Sequence, residues 1–242
     1  MSVKCLFKNK GDLNVFDDIF CANNYNFRMT GSCCVIDIGM NVGLASLYFA
    51  RMPTVQVVHS FEPFTCPFNR ALENFALNPD IGVKIKPNHF GLSGTNEVLE
   101  VSCSEDPTIG ASIRGGAGPA TDKITVRDAS ATLRPIIEEA ERNKQLVVIK
   151  MDCEGSEFAI VEALDRANLL GRVNVFMIQW HKLWSADKSN DDLARPLLAN
   201  GFAVFDFLRV NAPSASMLFA ARTPASTGAS KSNRSSTKRR SR

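Results

Sequence analysis

The chain alternates short continuous apolar runs with segments of helical spacing, and this alternation limits the possible folds more than any other property of the sequence. The runs at 33–38, 55–61, 83–86, 98–102, 146–151 and 173–179 read as strands, and 202–207 and 217–221 as closing strands. Helical spacing fills 44–50, 66–77, 131–143, 158–170 and 191–199. Runs that are apolar without a polar alternate are buried on both faces, and strand–helix succession covers both faces with helices. The expected fold is therefore α/β, a doubly wound, mainly parallel sheet with helices on both faces. The last two strands follow one another without a helix, which predicts an antiparallel strand at the sheet edge.

Chain punctuation divides this pattern into three parts. Residues 1–30 have apolar side chains (Phe16, Ile19, Phe20, Tyr25, Phe27) but no clean period, and are expected to form a lead-in packed on the domain. The domain itself spans 31–222. From Thr223 to Arg242 Ser, Thr, Lys and Arg dominate, which predicts a disordered basic tail. That tail carries six basic and no acidic residues, so in a chain of net charge +3 the preceding body stands at −3. A nucleic-acid partner is thus expected only through the tail.

The 106–121 segment, rich in Gly, Pro and Ser, reads as a loop long enough to cover a site. No apolar stretch is of membrane-spanning or signal-peptide length, so no membrane partner is expected. Seven cysteines without a C-x-x-C pair point to free thiols in a reduced, cytoplasmic compartment. Oligomeric state is not legible.

Ligands of doubly wound sheets bind at the carboxyl ends of the strands. Three unusual segments fall at such ends: Asp37-Ile38-Gly39-Met40-Asn41-Val42-Gly43, Ser60-Phe61-Glu62-Pro63 and Lys150-Met151-Asp152-Cys153-Glu154-Gly155-Ser156-Glu157. Gly39 and Gly43 permit a tight turn and a close approach of ligand to backbone. Glu62, 23 positions after Gly39, stands where a carboxylate accepts both hydroxyls of a ribose. Together they point to a nucleoside-containing ligand. The loop lacks the G-x-G-x-x-G pattern that seats a pyrophosphate on a helix N-terminus, which favours a cofactor without one.

With these residues in view, the sequence resembles the FkbM-type methyltransferases. Val35 to Leu44, Phe61-Glu62-Pro63 and Ile149 to Glu157 are similar to that family's principal blocks in order, as are Asp18-Ile19-Phe20 with Tyr25, and Gly91-Leu92-Ser93. The resemblance covers roughly 16–180. It implies a seven-stranded, Rossmann-like class I methyltransferase fold with S-adenosyl-L-methionine as cofactor, and transfer of its methyl to a hydroxyl of a small molecule or sugar. It also implies that Asp37, Gly39, Asn41 and Gly43 line the methionine side, that Glu62 holds the ribose and that the backbone near Leu92 meets the adenine. The chain departs from the family at Gln179, where many members carry an acid, and at Asp128 to Leu133.

An alcohol acceptor must lose its proton, which calls for a general base. Candidates are Asp152, Glu154, Glu157 and His181, the last with the ordinary histidine pKa for the task, and Lys150 could tune a carboxylate or orient the acceptor. The carboxylates could also hold a divalent metal with an acceptor diol, but no supporting His or Asp cluster is visible, and no metal is assigned. The competing reading is a non-catalytic, cofactor-binding scaffold whose basic tail binds nucleic acid. A nucleotide-dependent oxidoreductase is a weaker third.

Overall fold

The computed structural model describes residues 2–103, 120–181, 187–208 and 215–222. The basic tail and all but the last two residues of the 106–121 segment lie outside them. The chain opens with α1 (Lys10–Phe16), whose N-terminus is closed by a reciprocal capping box between Asn9 and Asp12, and continues into a π-helical turn, Asp17–Cys21. Next come β1 (Cys33–Ile38), α2 (Leu44–Ala50), β2 (Val55–Phe61), α3 (Thr65–Ala76), α4 (Pro79–Gly82) and β3 (Ile85–Asn88). A second series holds β4 (Gly91–Ser93), β5 (Glu97–Cys103), β6 (Ala120–Asp128), α5 (Ala129–Arg142) and β7 (Leu146–Met151). The chain then runs through α6 (Glu157–Arg166), a 3₁₀ turn (Leu170–Arg172), β8 (Val175–His181), α7 (Asn190–Ala199), β9 (Ala203–Leu208) and β10 (Ala215–Ala221).

Seven strands form one sheet in the order β3-β2-β1-β7-β8-β10-β9. All pairs from β3 to β8 are parallel, and β10 runs antiparallel to both β8 and β9. The antiparallel strand expected at the edge is therefore one place in from it, because β10 inserts between β8 and β9. The strand order reverses at β1 and β7, which opens the crevice at their carboxyl ends. The strand predicted at 98–102 does not join this sheet; β5 pairs with β6 in a separate three-stranded sheet, β4-β6-β5. Its small core joins Phe64, the residue before α3, to Val101, Ile124 and Val126 on the inward face of β5 and β6.

The period of two in β1 splits its side chains between two cores. Cys34, Ile36 and Ile38 pack with Leu133 and Ile137 of α5, Ile160 and Leu164 of α6, and Leu193 and Leu197 of α7. Cys33 and Val35 face α2 and the lead-in. Every β1 residue is buried, as an uninterrupted apolar run requires. Residues 2–30 are packed onto the α2 side, where Phe20 meets Tyr48 edge-on and Tyr25 and Phe27 lie against Phe49. A buried ion pair between Asp12 and Arg70 ties α1 to α3. Among the described residues, no helix is long and apolar enough to cross a membrane.

Candidate functional site

A crevice of about 300 Å³ lies over the carboxyl ends of β1, β2 and β7. The three segments singled out in the sequence converge on it: Gly39 to Val42, Glu62 to Phe64, and Asp152 with Glu154 all contribute to its lining, as do Gly91 and Leu92. The lead-in adds to the wall through Asn14, Asp18, Ile19 and Tyr25, as do Leu44 of α2, Pro67 of α3 and Gln179 of β8.

The glycine loop is a sharp turn held from below. Gly39 and Asn41 both have positive φ (78° and 52°), and the amides of Gly39 and Met40 donate to the Phe61 carbonyl at 3.0 and 2.9 Å. A Cβ on Gly39 would overlap the Asp152 carbonyl, 2.7 Å from its carbon, so this glycine permits the close approach of the β1 and β7 ends rather than leaving room for a ligand. Gly43 has a similar role elsewhere. As the N-cap of α2 it lies under α3, where a Cβ would meet the Phe75 ring at 2.5 Å, and it does not line the crevice.

Asp37 is likewise turned beneath the loop instead of into the crevice. Its side chain is fully buried, accepts a hydrogen bond from the Ser46 hydroxyl at 2.6 Å and lies 3.0 Å from the Lys150 ammonium. Lys150 also donates to the Gly39 carbonyl at 2.6 Å, so its cation pins the loop to β7. Burial works against that charge, but Asp37 outweighs it and holds the ammonium pKa above its ordinary value. Lys150 thereby joins loop and sheet while also lining the crevice, with its Nζ engaged by Asp37 and the Gly39 carbonyl.

Glu62 is the carboxylate the loop addresses. It accepts from the Asn41 amide at 2.8 Å through one oxygen and from the Phe64 amide at 3.1 Å through the other, and is only 5% exposed. Burial pushes its carboxyl up to about 7 against the pull of those two amides. Leu92 is buried on the neighbouring strand β4, forming part of the wall.

The D-x-E-G-x-E block folds into a turn closed by its own last acid. Glu157, fully buried, accepts from the Cys153 amide at 3.1 Å and the Gly155 amide at 2.8 Å. Glu154 takes a left-handed conformation, φ 51°, and Gly155 follows at φ 108°. The turn leaves Asp152 and Glu154 lining the crevice and keeps Glu157 behind them, away from an acceptor.

His181, the last residue of β8, completes the group. Its Nδ1 is 3.3 Å from Glu157 Oε1, and its Nε2 is 3.8 Å from Asp152 Oδ1 and 3.7 Å from Glu154 Oε2. Burial opposes protonation of this ring, yet the Glu157 hydrogen bond and the Asp152 and Glu154 charges raise its pKa to about 9. The expected histidine base of ordinary pKa is thus an imidazolium at neutral pH, which cannot accept a proton. The sequence offered no His beside the carboxylates; β8 supplies one from 27 residues beyond Glu154.

Two residues named in the sequence take on contacts there that the sequence reading did not assign. The Tyr25 hydroxyl lies 3.2 Å from Asp152 Oδ2 and 3.4 Å from Gln179 Oε1, so the lead-in and β8 both orient Asp152. In the sequence Tyr25 was legible as an apolar contact and as part of the lead-in block, with no polar role. Asp128 caps α5 through the Ala131 amide at 2.8 Å, which explains its presence there structurally.

A seven-stranded, Rossmann-like sheet in this order, with a ligand crevice at the switch point, defines the class I methyltransferase fold. The profile of the Methyltransferase FkbM domain matches residues 37–208, and the chain belongs to this family. Among solved structures, it is similar to a methyltransferase FkbM from Methylobacillus flagellatus KT, at 18% identity and TM-score 0.55, over 80% of this chain and 44% of that one. The chain thus spans less than half the length of that relative. It is also similar to magnesium protoporphyrin IX methyltransferase from Synechocystis PCC 6803, solved with bound SAM, at 12% identity and TM-score 0.48, over 88% of this chain and 81% of that one. No curated protein matches the chain.

Proposed function

We propose that the protein is an S-adenosylmethionine-dependent O-methyltransferase acting on a hydroxyl of a small molecule or sugar. The observation that carries this reading is the placement of Glu62 and the Asp152–Glu154 pair on opposite sides of one crevice, with the glycine loop between them. Bound S-adenosylmethionine supplies a methyl group already activated by its sulfonium.

The chain's own residues then have three tasks. Glu62, buried and already polarised by two amides, accepts the ribose hydroxyls, while the backbone at Leu92 borders the adenine. The Gly39–Val42 turn, pinned by Lys150 and Asp37, holds the methionine side. Asp152 and Glu154 orient the acceptor hydroxyl and receive its proton as the new bond forms; holding an oxygen in line with the methyl is worth roughly 7–11 kcal/mol of the barrier. Glu157 acts through the turn it closes, as a positioning residue.

Calorimetric titration with S-adenosylhomocysteine and with NAD tests the cofactor assignment, and tight binding of the first alone is expected. A panel of hydroxylated acceptors with radiolabelled donor tests the reaction. Incorporation of label into nitrogen or carbon acceptors only would refute O-methylation.

A further inference from the structure

The face of β2 and β3 that looks toward α5 is not closed over. Strands of a doubly wound sheet normally carry helices on both faces. After β3 the chain enters the second sheet instead of a helix, and among the described residues α5 is the helix that borders this face. A cavity of about 250 Å³ is left between them, and it shares no lining residue with the crevice.

His59 lies in the floor of this cavity. Its registered neighbours are Ile36 on β1 and Lys86 on β3, so it points to the α5 side of the sheet. The residue is only 9% exposed, and its ring has no hydrogen-bond partner among the described residues. Its nitrogens are nevertheless not sealed in the core, so they are reached from the cavity that the ring lines. Burial and the Lys86 ammonium hold its pKa down at about 4. At neutral pH the ring is therefore uncharged, with one nitrogen to donate and one to accept. A buried polar ring of this kind costs stability until something in the cavity bonds to it.

Two opposite charges face the same space. Lys86 stands beside His59 on the sheet, and Glu139 reaches the cavity from α5. They act on the His59 ring with opposite sign, yet neither forms an ion pair with the other or with any described residue. Lys84, by contrast, has its ammonium on the Met52 and Val55 carbonyls at 3.4 and 2.8 Å. Val57, Ile136 and Val83 add apolar surface, and Val83 is 82% exposed.

We propose that this cavity binds a free apolar α-amino acid, with its carboxylate on Lys86 and the His59 N–H, its ammonium on Glu139 and its side chain against Val57, Val83 and Ile136. A simple anion would meet Glu139 there and a simple amine would meet Lys86, like-charge contacts that a zwitterion avoids. The cavity is smaller than the roughly 300–1,000 Å³ of pockets for drug-sized ligands, which suits an amino acid and not a nucleotide. This site does not depend on the methyl-transfer reading.

The chain has three histidines, so its imidazole Hε1 resonances can be assigned one by one with His59→Gln, His89→Gln and His181→Gln. L-Leucine titrated into the full chain to millimolar concentration should move the His59 resonance saturably and leave that of His181 in place. 4-Methylpentanoate and 3-methylbutylamine, which each lack one of the two charges, should bind at least about 10-fold more weakly, the loss expected of one charge-assisted hydrogen bond. Lys86→Met should weaken leucine binding by a similar factor. Glu139→Gln should do the same and also erase the preference for leucine over 4-methylpentanoate. Both side chains are exposed, so these variants are expected to keep the fold, checked by circular dichroism. A His59 resonance that leucine does not move overturns the site, and so does a shift of His181 alone, which would put leucine in the crevice. Equal affinity of the parent for leucine and 4-methylpentanoate overturns the amino-acid assignment.

Discussion

Replacing Gly39 with alanine tests whether the glycine loop serves packing or ligand space. Gly39 has φ +78°, a conformation that costs an L side chain about 1–2 kcal/mol. Its added Cβ would also overlap the Asp152 carbonyl and approach Cys153 Cα to 3.2 Å. Both obstacles are backbone at the end of β7 and cannot swing away, so a further 1–3 kcal/mol, roughly the cost of overpacking, is expected. The sum is about 2–5 kcal/mol. For a domain of this size that lowers the melting temperature by roughly 4–20 °C. Gly201 provides the control, since it has a nearly identical φ of +81° but nothing within 4 Å of its Cβ. Gly201→Ala should therefore cost only the backbone term, about 1–2 kcal/mol. Urea melts of the two variants and the parent, compared at a common slope, give the difference directly. If Gly39→Ala is no more destabilising than Gly201→Ala, the close approach of β1 to β7 does not explain the glycine. Loss of S-adenosylhomocysteine binding with full stability would restore the view that Gly39 makes room for a ligand.

Three other outcomes follow from the same geometry. The unfolded chain ionises Glu62 near 4.5, whereas the fold retains the proton up to about 7, so this group should make the ligand-free protein lose up to about 3 kcal/mol as pH rises between those values. Glu62→Gln should remove that slope in pH-dependent urea melts. Since ribose hydroxyls favour the ionised carboxylate, S-adenosylhomocysteine affinity should rise as pH approaches 7 in the parent and stay flat in the variant; the reverse slope would refute the role. Asp152→Asn should lower turnover about 10²–10⁴-fold with a far smaller change in cofactor affinity, measured by initial rates and calorimetry on the true acceptor. Asp12→Ala removes the carboxylate of a buried ion pair and should destabilise the domain by about 3–5 kcal/mol in denaturant melts, whereas an exposed pair such as Lys8–Glu73 should matter by less than about 1 kcal/mol.

Local pattern carried much of the fold. The bounds of β1, β2 and β7 coincide with the apolar runs at 33–38, 55–61 and 146–151, because central parallel strands are buried on both faces and tolerate few polar residues. The third strand lies two residues later than its apolar run: Asn78-Pro79 starts another helical turn, and Val83 is left 82% exposed. β6 was not legible, since a half-solvated strand that alternates Lys123, Thr125 and Arg127 with Ile124 and Val126 has too few apolar residues to stand out. The position of β10 between β8 and β9 depends on pairing, which no local pattern records.

For the site, the sequence by itself determined which segments end strands and hence that the loop from Gly39, Glu62 and the Asp152–Glu154 pair face one crevice. What each of those residues does there was decided only by tertiary contacts. Asp37 and Lys150 neutralise each other under the loop, Gly43 makes way for Phe75, and Glu157 is consumed by two amides of its own turn. His181 and Tyr25 arrive at Asp152 from β8 and from the lead-in, 29 residues after it and 127 before it. Charge balance and pKa depend on distances of a few ångströms between such remote segments, and it is the folded sheet that sets those distances.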